Sequence, residues 1–174
     1  MIGLIVHGDD SLEEQIEKKN HETKQKLLKQ IRHMEPQKFE ELVTLVFTKM
    51  GFKEMITTPF NKDGGVDVRG ILEVEGVINI NLAIQVKRIS QNVQRQVVDA
   101  LRGCLSAGER GVIVTSSDFS KAAQETARDK TKNCFIDLIN GEAFVNLMVE
   151  HEVGVKRNEY QILYLRDLDT QDEN

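Results

Sequence analysis

Asp67, Gln85 and Lys87 bring a carboxylate, an amide and an ammonium into two short segments that are otherwise rich in apolar residues. A carboxylate oxygen and an amide oxygen are hard ligands that suit Mg2+, an ion that keeps several of its waters. Read as a strand, residues 79–89 point Ile80, Leu82, Ile84 and Val86 one way and Asn81, Ala83, Gln85 and Lys87 the other. Gln85 and Lys87 then share a face, about 7 Å apart along the backbone. On a central strand such polar groups are costly without a purpose. On an edge strand the same pattern is simply a wet face. Asp67 follows the turn Asp63-Gly64-Gly65 and opens a second alternating segment, residues 66–74. A hairpin turn near Glu75-Gly76 would carry Asp67 toward Gln85. Taken alone, Asp67 is equally suited to a turn.

These groups need elements to hold them. Ser11 with Glu14 three residues on is a capping box, and the charged segment after it predicts a helix to about His33. That helix could pack on the domain, pair with a second copy, or end a linker. Pro36 suits the first turn of another helix. Its apolar residues Phe39, Leu42, Val43, Val46, Phe47 and Met50 recur with helical spacing, and Gly51 is the stop. Glu40 lies about 80° from the centre of that stripe, at the rim of a cleft, while Glu41 faces solvent. Strands are expected at 53–58, 66–74, 79–89, 111–115, 134–139 and 153–165. Further helices are expected at 93–107, from Ser120, and at 141–151. Three successive strands followed by strand–helix alternation predict an α/β fold. Its mixed central β-sheet would have helices on both faces.

The chain has 174 residues and a formal net charge of -5. That length suits one domain with a helical extension. The acidic total does not itself announce a nucleic-acid binder. It conceals a gradient, because residues 85–132 hold nine bases against five acids and the end of the chain is acidic. A locally basic face can still meet a polyanion. Cys104 and Cys134 form no CxxC pair and read as reduced core thiols. His7, His21, His33 and His151 form no zinc-binding pattern, and no phosphate-loop glycine motif occurs. No apolar run approaches the roughly 20 residues that span a bilayer. Without an export signal, a cytoplasmic protein is expected.

The order of these pieces is more specific than any one of them. Phe39-Glu40-Glu41-Leu42-Val43, Met50-Gly51-Phe52, Asp63-Gly64-Gly65-Val66-Asp67-Val68 and Ala83-Ile84-Gln85-Val86-Lys87-Arg88 succeed one another. Gly111-Val112-Ile113-Val114-Thr115, Asp118-Phe119-Ser120 and Leu138-Ile139-Asn140-Gly141-Glu142 come later. Together, from about Pro36 to Val155, they resemble the PD-(D/E)XK nuclease superfamily, and within it the Mrr-like catalytic domain of restriction endonucleases.

The resemblance implies a divalent-metal-dependent DNA endonuclease that hydrolyses phosphodiester bonds, with Mg2+ as cofactor and Mn2+ able to substitute. Asp67 becomes the metal-binding aspartate, and Gln85 stands where the second acidic residue is usual. Lys87 becomes the motif lysine and Glu40 the helix acid. Asp67, the Gln85 side-chain oxygen and the Val86 carbonyl are assigned to the metal. Lys87 would orient or deprotonate the attacking water and offset phosphate charge. Glu40 would support a coordinated water or a second ion. An amide in place of a carboxylate removes one negative charge, so metal affinity should lean on the substrate phosphate.

Arg88, Arg95 and Arg102 are the candidate contacts to double-stranded DNA. Cutting both strands calls for a homodimer. A separate DNA-recognition or NTPase subunit is a candidate partner, and no membrane is involved. The expected layout is a helical extension at 1–35, the nuclease domain at 36–166 and a disordered acidic tail at 167–174. A repair or junction-resolving nuclease, or a non-catalytic DNA-binding module, would share many of these features. Retention of Asp67, Gln85 and Lys87 together argues against the last.

Overall fold

A computed structural model describes residues 11–57, 65–129 and 134–159. The helix α1 (Leu12–His33) starts on the capping box, with Ser11 Oγ accepting from Glu14 N–H and Glu14 accepting from Ser11 N–H. Next come α2 (Pro36–Lys49), β1 (Lys53–Thr57), β2 (Val68–Val74) and β3 (Ile78–Lys87). Then follow α3 (Arg95–Cys104), β4 (Arg110–Thr115), α4 (Lys121–Ala127), β5 (Ile136–Ile139) and α5 (Gly141–Glu150). The five strands form one sheet in the order β1-β2-β3-β4-β5.

The pairing of β1, β2 and β3 is antiparallel, and that of β3, β4 and β5 is parallel. The expected mixed sheet is therefore present, with β3 at its centre. Strand alternation divides the core in two. Val68, Leu82, Ile84, Val86, Val112 and Val114 face α1, α2 and α5. Ala83, Ile113 and Ile136 face α3 and α4 with Val98, Leu101 and Ala123. The second half of α1 packs on the domain. Leu27, Leu28 and Ile31 are buried in the first core, and α1 lies against α5. Its first half keeps Leu12 and Ile16 exposed.

The anchor of α2 is Phe39, fully buried and edge-on to Phe144 of α5 at 5.5 Å between ring centroids. Gly51, at φ +101°, ends the helix as its composition suggests. The turn into β3 also forms where expected, with positive φ at Glu75 and Gly76 and a Val77 N–H to Val74 carbonyl bond. At the sheet's edge β1 is irregular. Its register against β2 shifts between Lys53 and Ile56, and Glu54 between them has φ +52°.

Several boundaries differ from expectation. α3 starts later than residue 93, because Val93 bridges to Phe119 and exchanges backbone bonds with Asp118 and Ser120. It ends at Cys104, because Leu105 turns extended. The strand expected from residue 153 is absent through residue 159. There the chain folds back on α5, Val153 N–H bonding the Met148 carbonyl at 2.7 Å, and the Val153 side chain enters the core. The apolar character of that segment serves helix-end packing. Residues 160–165, Asp63 and the acidic tail lie outside the described residues. Cys104 packs beside the second core, whereas Cys134 adjoins the exposed Phe135 rather than core. Both thiols are free.

Truncating Phe39 to alanine removes the ring that seats α2. Denaturant unfolding is expected to show a loss of about 3–5 kcal/mol, and a loss below 1 kcal/mol would mean that α2 is held otherwise.

Candidate active site

The site forms where β2 begins and β3 ends. The pair Val68–Ile84 belongs to the antiparallel ladder, so the next step outward sets Asp67 across from Gln85. Asp67 N–H donates to the Ile84 carbonyl at 2.8 Å. In return Asp67 Oδ2 accepts the Val86 N–H at 2.6 Å. The carboxylate is thus fixed against the β3 backbone between Gln85 and Lys87. Val86 meets Asp67 through its backbone N–H.

Gln85 is 4% exposed on the central strand, which rules out the wet edge-strand reading. Its Oε1 is buried without a hydrogen-bond partner among the described residues. A buried amide oxygen left unpaired costs about 1–3 kcal/mol, so its retention calls for a partner of another kind. An oxygen set of one carboxylate and one amide fits a hard divalent cation such as Mg2+. Among the described residues no group of three His, Cys, Asp or Glu side chains forms a metal cluster. The glycine ahead of Val66 makes room for the amide. A β-carbon at Gly65 would stand 2.5 Å from Gln85 Nε2, and its φ of +117° disfavours any side chain.

Lys87 is the last residue of β3 and half-buried. Glu40 is half-buried on the flank of α2, whereas Glu41 is exposed, as helix geometry requires. Burial raises the Glu40 carboxyl above its ordinary range, and the negative charge of Asp67 raises it further. Lys87 pulls it down and Glu41 adds a smaller rise. Burial also raises the Asp67 carboxyl, against the lowering effects of the Val86 N–H and Lys87. Glu40 thus senses the charges of Asp67 and Lys87, Asp67 senses that of Lys87, and Gln85 stands beside Asp67.

The arginines divide. Arg95 is exposed on α3 and paired with Asp99 at 3.0 Å. Arg102 shares that helix face but turns inward, its side chain only 11% exposed. It donates to the Thr126 carbonyl of α4 at 2.7 Å and so ties the two helices together. Arg88 is half-buried, its Nε shielded and without a hydrogen-bond partner among the described residues.

Two features were not read from the sequence. One is the ion pair of Arg69 with Glu109 at 2.9 Å, which joins β2 to the α3–β4 loop. Burial alone would raise the Glu109 carboxyl, but the Ser106 N–H and Arg69 outweigh it and hold it low. The other is the run Thr115-Ser116-Ser117 at the end of β4, which bonds back to the chain after Lys87. A run of hydroxyl residues closing an apolar strand was the available signal.

A folded-state carboxyl that is raised penalises the ionised form. Its contribution to stability falls as pH climbs from the unfolded toward the folded pKa and stays low above it. Asp67→Asn removes that penalty. In the metal-free protein it is expected to melt higher than wild type at neutral pH, with the gap closing in acid. A lower melting temperature at neutral pH would show that the Asp67 charge stabilises the fold.

Known proteins resemble the chain in sequence and in fold. Residues 31–148 match the Mrr catalytic family model, described as restriction endonuclease. A relative from Escherichia coli (strain K12), the type IV methyl-directed restriction enzyme EcoKMrr, is 28% identical over 153 residues. That match covers 84% of this chain and 49% of the relative, so the chain spans about half its length. In structure the chain resembles the DNA modification-dependent restriction endonuclease AspBHI, with a TM-score of 0.62 and 24% identity. It also resembles the MspJI restriction endonuclease in complex with a 27-mer oligonucleotide, with a TM-score of 0.58 and 23% identity. The two likenesses cover 77% and 83% of this chain but only 36% and 35% of those proteins. They show a shared fold.

Proposed function

Because the chain belongs to the Mrr catalytic family of restriction endonucleases, we propose that it is a divalent-metal-dependent endonuclease that hydrolyses phosphodiester bonds in foreign or modified DNA. The observation that carries this reading is the buried Gln85 Oε1, unpartnered among the described residues, beside the Asp67 carboxylate, with Lys87 at the end of the same strand.

Asp67 and Gln85 Oε1 would hold Mg2+, or Mn2+ in its place, with the Val86 carbonyl as a proposed third oxygen. When bound, the ion supplies Lewis acidity and neutralises charge at the phosphoryl group. Lys87 Nζ, the third element, donates hydrogen bonds that orient the attacking water and balance charge on the phosphate oxygens. Glu40, on α2, accepts a hydrogen bond from water and limits its orientations. The site has one formal negative charge fewer than a pair of carboxylates would give it. Part of its affinity for a cation then comes from the phosphate of the DNA itself.

Arg88 and Arg95 are the arginines proposed to meet phosphates, in a contact that weakens as salt rises. The internal bonds of Arg102 make it the weaker candidate of the three. Among the described residues no helix is long and apolar enough to cross a membrane, and a cytoplasmic enzyme is proposed.

Plasmid cleavage in the presence of Mg2+ tests the assignment. Wild type is expected to cut and to stop on chelation, while Asp67→Ala and Lys87→Ala lose at least about two orders of magnitude in rate. Equal cutting by all three proteins would remove these residues from the chemistry.

A break in both strands needs two such sites, so a homodimer on DNA is proposed. Sedimentation with a DNA duplex is expected to give two protein copies per complex. A single copy both free and bound would sink the dimer.

A further inference from the structure

The parallel ladder between β3 and β4 ends at the pair Lys87–Thr115. Strand ends fray, because nothing pairs their last residues on the far side. Lys87 is the last residue of β3, and its four-carbon side chain is flexible. The position of its ammonium therefore depends on how firmly the backbone beneath it is held.

Three consecutive hydroxyls continue the connection where the ladder stops. Thr115 Oγ1 donates to the Lys87 carbonyl at 2.8 Å, Ser116 Oγ to the Ile89 carbonyl at 3.2 Å and Ser117 Oγ to the Ser90 carbonyl at 3.3 Å. Thr115 Oγ1 also accepts from Ser117 N–H at 3.2 Å. Thr115 and Ser116 are fully buried. The segment is clamped from behind as well. Arg32 Nε of α1 donates to the Ser116 carbonyl at 3.3 Å, and Gly141 N–H of α5 donates to the Ser117 carbonyl at 2.9 Å.

We propose that Thr115 is a positioning residue for Lys87. Its hydroxyl pins the carbonyl of the lysine that the nuclease reading places at the scissile phosphate, and the proposal rests on that reading. Packing alone would be served equally well by valine, which has nearly the same shape. The Lys87 carbonyl also accepts Ser116 N–H, at 3.2 Å. Losing the threonine hydroxyl therefore leaves that carbonyl paired and frees only the Ser117 N–H, on a half-buried residue, so the fold is expected to survive.

The test compares the full chain with Thr115→Val and Thr115→Ser in single-turnover plasmid cleavage, with DNA affinity and melting measured separately. Small misplacements of a catalytic group cost up to about a hundredfold in rate. Thr115→Val is expected to cut roughly ten- to a hundredfold more slowly, with DNA affinity and melting near wild type. Thr115→Ser is expected to restore the rate. A valine variant as fast as wild type, one that loses affinity but not rate, or a serine variant as slow as valine overturns the positioning role. If the valine variant melts well below wild type, Thr115→Ser against Thr115→Ala decides. Both lack the methyl group and only serine keeps the hydroxyl, so equal rates overturn the proposal. A wild type that does not cut overturns the nuclease reading itself. A wild type that cuts no faster than Thr115→Val overturns only the role of Thr115.

Discussion

The hydrogen bond from Val86 N–H to Asp67 Oδ2, at 2.6 Å, joins the start of one strand to the end of another. Both halves of the molecule meet there. The antiparallel half delivers Asp67 through the β2–β3 hairpin, and the parallel half fixes β3 against β4. A charge-assisted bond of this kind is roughly twice as strong as a neutral one. It still does not return the Asp67 carboxyl to its ordinary range, because burial outweighs it. The fold thus tolerates a destabilised carboxylate at the point where its two sub-architectures join. Such local conflict is characteristic of functional sites.

Much of this was legible in the sequence, for identifiable reasons. Alternation along β3 separated Ile84 and Val86 from Gln85 and Lys87, because a strand has only two faces and both are buried here. Glu40 and Glu41 could be told apart because a helix rotates neighbouring residues by about 100°. The hairpin was marked by a glycine able to take positive φ. What the sequence left open was what burial decides. The pattern 79–89 suited an edge strand equally well until β4 was seen to pair with its far side. The apolar residues after 152 suited a strand, but Val153 packs under the end of α5. Arg102 had the spacing of a surface contact, and only its inward side chain shows it bridging two helices. The hydroxyl run after Val114 carries no periodicity, so its partners came from tertiary structure alone.

Charge follows the same logic. The acidic total of -5 says little about the site, whose fields are set by distances within the protein. Two carboxyls near one lysine would repel each other more strongly with a third beside them. Glutamine at position 85 supplies an oxygen without that repulsion, and Gly65, lacking a side chain, leaves space for its amide. The motif glycine and the motif glutamine are one steric solution.

The irregular edge strand has a consequence for assembly. An even β1 would offer its free backbone groups to any passing strand. Instead the slip in register between Lys53 and Ile56, with Glu54 in a left-handed conformation, bends the outer rim and sets charged side chains along it. A bulged, charged rim is a poor template for another chain. That rim discourages growth of the sheet into a ribbon shared by two molecules. It directs contact between copies away from this edge of the sheet.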